Sequence, residues 1–158
     1  MTITLIPMTA AEYADRREPQ IAGYAQSLAT ARGLSPERAL ARARQDVEQL
    51  LPNGVDSPEA LLFTAKAGGD TVGWLWIGLR SEGMATHAWI YNIEVDAAYR
   101  GKGYGRGILA AIEPILAARG VDRLALNVFG NNAVARHLYE TAGYTVDALQ
   151  MSKPVRPA

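Results

Sequence analysis

Arg100-Gly101-Lys102-Gly103-Tyr104-Gly105-Arg106 interleaves cations and glycines within one short stretch. A β-rich run, Ala88 to Val95, precedes it, and an apolar helical run from Tyr104 to about Ala118 follows. A glycine-rich turn between a strand and a helix leaves first-turn N–H groups unpaired and pointing one way. They lie at the positive end of the helix dipole. Glycine supplies positive φ and lets a ligand approach the backbone closely. The chemistry of such a turn is the capture of one small polyanion, a phosphate or pyrophosphate.

Rival readings of the glycines are weaker. A Walker A loop needs Ser or Thr after Gly-Lys, and Gly101-Lys102 is followed by Gly103. A dinucleotide fingerprint can be laid on Gly105-Arg106-Gly107-Ile108-Leu109-Ala110. It would start inside the helix and in mid-chain, not in the first turn of a parallel sheet. A ligand-free turn fits poorly, because helix starts favour capping side chains and acids over this composition.

The elements that position the turn are legible from caps, breakers and periodicity. Thr2 to Ile6 alternates as a short strand. Thr9 to Arg32 reads as a helix with Thr9 as N-cap, Gly33 as stop and a kink or division at Pro19. Ser35-Pro36-Glu37-Arg38 starts a second helix that runs to about Leu51. Leu61 to Ala67 and Thr71 to Leu79 form a hairpin through Gly68-Gly69-Asp70, and Ser81 to Gly83 is a further turn into a strand from His87 to Val95. After the glycine turn, the helix bends at Pro114. Arg123 to Val128 is a buried strand, Asn131 to Ala142 a short helix, and Tyr144 to Met151 a last strand. The expected fold class is α/β, with a mixed, mostly antiparallel central sheet.

The whole chain narrows the function. Its 158 residues, 49 % of them apolar, suit a single domain over 1–158. Zero formal net charge argues against nucleic acid and against an anionic membrane surface as partners. With no cysteine there is no disulfide, thiolate metal site or cysteine nucleophile. The N-terminal run lacks a basic region and a long apolar stretch. No signal peptide or membrane span is therefore expected, and the cytoplasm is the expected location.

Two segments together carry a family resemblance. Val95-Asp96-Ala97-Ala98-Tyr99-Arg100-Gly101-Lys102-Gly103-Tyr104-Gly105 resembles the acyl-CoA-binding motif of the GNAT superfamily of N-acyltransferases, with Arg100, Gly103 and Gly105 at its fixed positions. Asn127 to Tyr144 is similar to the family's later motif, through Asn132, Ala135, Leu138-Tyr139 and Gly143-Tyr144. The resemblance is sharp from about Trp89 to Tyr144. It implies the GNAT fold, with helices on both faces of the sheet. It also implies transfer of acetyl from acetyl-CoA directly to a primary amine, on a small molecule or a peptide. By match, the amides of Arg100, Gly101, Lys102, Gly103, Tyr104 and Gly105 hold the pyrophosphate, with Arg106 beside it. The pantetheine arm pairs with backbone near Ile93 and Val95, where the strand splays from Arg123–Val128. Asn132 bonds the cofactor and Asn127 lines the same cleft. Tyr139 matches the tyrosine beside the CoA sulfur, a candidate proton donor. Dimerisation is common for the fold, so a homodimer is among the expected partners. A catalytically silent acyl-CoA-binding or regulatory module is the alternative.

The base that frees the amine is open. Glu94 is the candidate, on the strand face shared with Asn92 and opposite Ile93 and Val95. A purely structural or substrate-positioning carboxylate is the competing reading. Some branches of the family carry a glutamate earlier, about where Trp89 stands, and Trp cannot take a proton. Trp74 and Trp76 share a strand face and read as core or cleft wall. His87 and His137 stand alone, with no spacing that suggests a hydrolase triad or a metal site. Arg38, Arg42 and Arg44 are balanced by Glu37, Asp46 and Glu48 and read as a solvated face.

Overall fold

The structure is a computed structural model that describes residues 2–82 and 85–158. β1 (Thr4–Pro7) leads into α1 (Ala10–Arg32), whose start is written in four residues. The Thr9 side chain accepts from the Glu12 N–H at 3.2 Å, and the Glu12 carboxylate accepts from the Thr9 N–H at 2.8 Å. This reciprocal box satisfies two first-turn donors. That backbone bond, foremost, holds the Glu12 carboxyl below its ordinary pKa. Thr9→Ala is expected to lower stability by about 1 kcal/mol in urea unfolding. Because the folded pKa is depressed, the carboxylate's share is present above the ordinary glutamate value and fades as pH falls through the lowered one. The variant keeps the backbone N–H of position 9, so this acid-side loss is expected in both proteins.

α1 runs unbroken through Pro19 to a left-handed Gly33. Pro19 and Asp15, whose carbonyl loses its helical donor, are both exposed, so water replaces the missing bond. α2 (Pro36–Leu50) starts on Ser35 as the spacing predicts. Its charged face is a salt-bridged surface, with Arg42 on Asp46 at 2.8 Å and Arg44 on Glu18 at 2.9 Å.

β2 (Ala60–Ala67), β3 (Asp70–Glu82), β4 (Ala85–Val95) and β5 (Arg123–Leu126) complete a sheet in the order β1-β2-β3-β4-β5. Every pairing is antiparallel except β4 with β5, which is parallel. The tight Gly68-Gly69 loop joins β2 to β3, and both glycines have positive φ. α3 (Tyr104–Ala117) and α4 (Ala133–Thr141) follow β4 and β5.

Alternation divides the sheet into two packed layers. Leu62, Trp74 and Trp76 meet Tyr13, Ile21 and Leu28 of α1 and Ala43 and Val47 of α2. Phe63, Ala65, Leu75 and Ile77 face Ile108, Leu109, Ile112 and Leu116 of α3. Helices thus cover both faces, as the resemblance implied. Both tryptophans of β3 are core residues, Trp74 completely so.

Pro19 does not divide α1, and three further expectations need correction. β3 continues through Ser81 to Glu82, and the rest of the turn expected at Ser81–Gly83 lies outside the described residues. β5 stops at Leu126 and is only half-buried, because it is the last strand of the sheet. Tyr144 to Met151 forms no strand: its one backbone bond among the described residues is the local one from the Tyr144 N–H to the Tyr139 carbonyl.

Candidate active site

β4 carries the site because two irregularities act on it. Trp76 pairs with Asn92 but Ile77 pairs with Ile90, so Tyr91 is an extra residue, a bulge. Trp89 and Tyr91 then lie on the α1 side with Asn92 and Glu94, while Ile90 and Ile93 face α3. The Tyr91 ring lies 4.9 Å from that of Trp76 and covers Gly78, where a Cβ would come within 2.3 Å of it. Arg80 donates to the Tyr91 hydroxyl at 2.6 Å and stacks over Trp89.

The second irregularity is divergence. β5 pairs with β4 only over His87–Ile90. Beyond Ile90 the strands part, and a cleft opens whose walls include Trp89, Tyr91, Leu126, Asn127, Phe129 and Tyr139. The Asp96 N–H bonds Val72 of β3, so the peptide groups of residues of that parity turn toward β3. Those of Ile93 and Val95 turn the other way, toward the open side. An extended ligand would meet them there as an added strand, although the Val95 carbonyl already accepts from the Arg100 side chain.

The glycine turn follows directly. Ala97–Tyr99 is a short 3₁₀ turn, and Gly103 caps α3 with φ 85° and no capping side chain. Gly101, at φ 72°, and Gly103 have open space where a side chain would project. Their backbone conformation and the clear approach fit a polyanion laid on the first-turn amides of α3. Tyr99 and Tyr104 pin the turn to the core, ring edge to ring face at 5.4 Å. Arg100 donates to the Val95 carbonyl, Lys102 to the Ala98 carbonyl and Arg106 to the Thr141 hydroxyl, each at 2.9 Å. None of the three meets a carboxylate among the described residues, so their charge is uncompensated around the helix start.

α4 closes the site from the other side. A Cβ on Gly105 would lie 3.2 Å from Leu138 and 3.7 Å from Val95, so the end of β4, the start of α3 and α4 converge there. Tyr139, next to Leu138, is half-buried, and desolvation raises its phenol above the usual pKa. At neutral pH it keeps its proton and can donate it. Tyr144 packs against it at 5.6 Å and is pushed up to about 12, mainly by burial. Asn132 is the N-cap of α4, its side chain accepting from Ala135 at 3.1 Å, so it has a structural task of its own.

Glu94 stands apart from this group. It accepts from the Trp74 indole at 3.0 Å on the α1 side, where Arg16 forms a two-pronged pair with Asp96. Arg16 is raised above its usual pKa chiefly by Asp96, with Glu94 adding to the effect. Tyr139 packs with the α3-side cluster. The two candidate proton carriers therefore come from opposite faces of the sheet.

Sequence reasoning missed Tyr91 and Asn92. The Asn92 side-chain amide nitrogen is buried beside the bulge with no hydrogen-bond partner among the described residues. His87 is less isolated than its spacing suggested, its Nδ1 lying 3.4 Å from Asp122. The described residues contain no group of three or more His, Asp and Glu placed to hold a metal ion, and no helix long and apolar enough to cross a membrane.

Comparison with known proteins places this geometry. The model of the acetyltransferase (GNAT) family matches residues 34–144. The N-acetyltransferase YycN of Bacillus subtilis (strain 168), itself uncharacterized, is 36 % identical over 154 residues, covering 97 % of this chain and 99 % of its own length. The crystal structure of YycN superposes with a TM-score of 0.92 at 35 % identity, covering 99 % of this chain and all of the other. AAC(6')-Iy, solved with a CoA-containing bisubstrate analog, covers 99 % of this chain and all of its own at a TM-score of 0.61 and 16 % identity; it shares the fold alone. The chain belongs to the GNAT family of acetyltransferases and is an N-acetyltransferase.

Proposed function

We propose that residues 1–158 act as one domain that transfers acetyl from acetyl-CoA directly to a primary amine, on a small molecule or a peptide. The observation that carries this reading is the uncapped start of α3, with Gly101 and Gly103 before it, beside the unpaired edge of β4 beyond Ile90. The amides of Arg100 to Gly105 would hold the pyrophosphate, with Arg106 adding charge. The peptide groups of Ile93 and Val95 would hold the pantetheine arm as an added strand. Asn127 and Asn132 would flank that arm.

Bound acetyl-CoA would supply an activated thioester. Glu94 would take the proton from the acceptor ammonium, directly or through water, so that the amine nitrogen can bond the acetyl carbon. Tyr139 would give its proton to the thiolate released as the C–S bond breaks, and the second proton shed by the nitrogen as the amide forms would restore the phenol through water. The placement of these groups on opposite faces supports this division of labour, because one proton transfer is at the attacking nitrogen and the other at the leaving sulfur. Its location is read as cytoplasmic.

Thermal unfolding with acetyl-CoA, NADH and NADPH tests the reading. A ligand that binds only the folded state at about 100 times its Kd adds about 2.7 kcal/mol. A concentration-dependent rise with acetyl-CoA and none with the nicotinamides is expected. No rise with acetyl-CoA would overturn the assignment of the turn. A rise without thiol release on any amine would favour the silent acyl-CoA-binding module.

A further inference from the structure

We propose that Arg80 anchors the acceptor: the substrate is a primary amine that also carries a carboxylate, about 13 Å from the amine, as in a short extended peptide. The proposal deepens the acetyl-transfer reading and rests on it only for the end of the cleft at which the amine lies.

Arg80 is placed by alternation and by the bulge. On β3, Trp74, Trp76, Gly78 and Arg80 share the α1 side. α1 and α2 cover the two tryptophans. Gly78 has no side chain, and the Tyr91 ring lies over it. The Arg80 guanidinium rests over the Trp89 ring, 4.9 Å from its centre, and 5.7 Å from the centre of Tyr91. Its Nη2 donates to the Tyr91 hydroxyl at 2.6 Å. Two rings and one hydrogen bond thus fix the plane of the fork. A guanidinium has five N–H donors, and Tyr91 takes one of them. Those that remain match the two oxygens of a carboxylate.

Most other charges lining the cleft are already satisfied. Asp46 accepts from Arg42 at 2.8 Å and from the Tyr24 hydroxyl at 3.1 Å. Arg136 meets Glu140 at 3.5 Å, and Arg123 meets Asp147. Arg80 lines the same cleft, and no carboxylate among the described residues pairs with it. Arg32, at the end of α1, lines the cleft without a carboxylate partner too, but among the described residues no ring lies beneath it to orient it. A carboxylate brought by the ligand would supply the charge that Arg80 lacks.

β3 serves as the ruler. Trp89 pairs with Gly78 and Glu94 pairs with Trp74, so the platform under Arg80 and the proposed base are four β3 residues apart. At about 3.3 Å per residue that is about 13 Å. An acceptor lying along this face would set its ammonium before Glu94 and its carboxylate on Arg80, the charges opposite at each end. Between them the Tyr91 ring, packed on Trp76 at 4.9 Å, gives an aromatic wall for the uncharged middle. A single α-amino acid is too short to reach both ends; three to four extended residues span them.

Calorimetric titration of the full chain, with CoA present so that nothing turns over, tests the proposal. The probes are trialanine and tetraalanine, each as the free acid and as the C-terminal amide. The better acid is expected to bind about tenfold more tightly than its amide, the worth of a charge-assisted pair. Arg80→Gln should abolish that difference and leave the amide affinities unchanged. Arg80→Lys should keep only part of it, because a point charge cannot fork. Arg32→Gln removes the same charge from the same cleft and should keep the full preference. Arg80 is exposed, so these variants are expected to fold, and their thermal midpoints check it. Acids and amides that bind alike, or no binding of any probe, overturn the proposal, as does a preference that survives Arg80→Gln. The titration counts binding and not turnover, so its outcome is separate from that of the acetyl-CoA thermal shift. A shift without an acid preference removes the role of Arg80 and leaves acetyl transfer in place; an acid preference without a shift does the reverse.

Discussion

Tyr139→Phe is expected to lower kcat by a factor on the order of 100 to 10,000, the range a positioned general acid contributes. KM for acetyl-CoA should change little, because the ring that packs against Tyr144 and the α3-side core remains. The pH profile gives an independent reading. Burial raises the phenol above its ordinary pKa of 10.0, so the proton is present through neutral and mildly alkaline pH and is lost only above 10. An alkaline fall in kcat should appear there in the native protein and be absent from the variant. A Tyr139→Phe enzyme within twofold of native kcat would reduce the residue to packing and leave the departing thiolate without this donor.

Trp74→Ala is expected to cost about 3–5 kcal/mol in urea unfolding, the range for deleting a large buried aromatic. A native domain is typically stable by only about 5–15 kcal/mol, so this change brings the chain near the edge of folding. Trp74 is fully enclosed between the sheet and α1, and it is also the indole donor to Glu94. Trp74→Phe separates the two roles. It should recover most of the stability, yet still lower kcat/KM for the amine because Glu94 loses its tether. Native kcat/KM in a well-folded Trp74→Phe protein would show that Glu94 needs no such positioning.

Local chemistry was the legible part. Thr9 with Glu12, Ser35 with Pro36, and Gly68-Gly69 each announce an element boundary through bonds made within a few residues, and all three boundaries occur as expected. The glycine turn proposed to hold phosphate is of the same kind, because its chemistry lies in Gly101, Gly103 and the helix they precede. Long-range features were not legible. The bulge at Tyr91 needs no glycine and is visible only when β3 and β4 are set in register. The cleft depends on where β5 stops pairing, which no residue in Arg123–Val128 marks. Tyr144 to Met151 has strand composition, but a strand is a relation between two segments, and composition names only one of them.

Tyr91 also divides β4 into two halves of opposite phase. Before it the odd-numbered residues face α1, and after it the even-numbered ones do. Loss of that one residue would restore plain alternation, because Ile90 on Ile77 and Asn92 on Trp76 are adjacent pairs. Glu94 would stay before Trp74, and the cleft would lose the Tyr91 ring, its contact with Trp76 and its cover over Gly78. The extra residue thus adds an aromatic wall to the cleft at no cost to the phase of the residues that follow it.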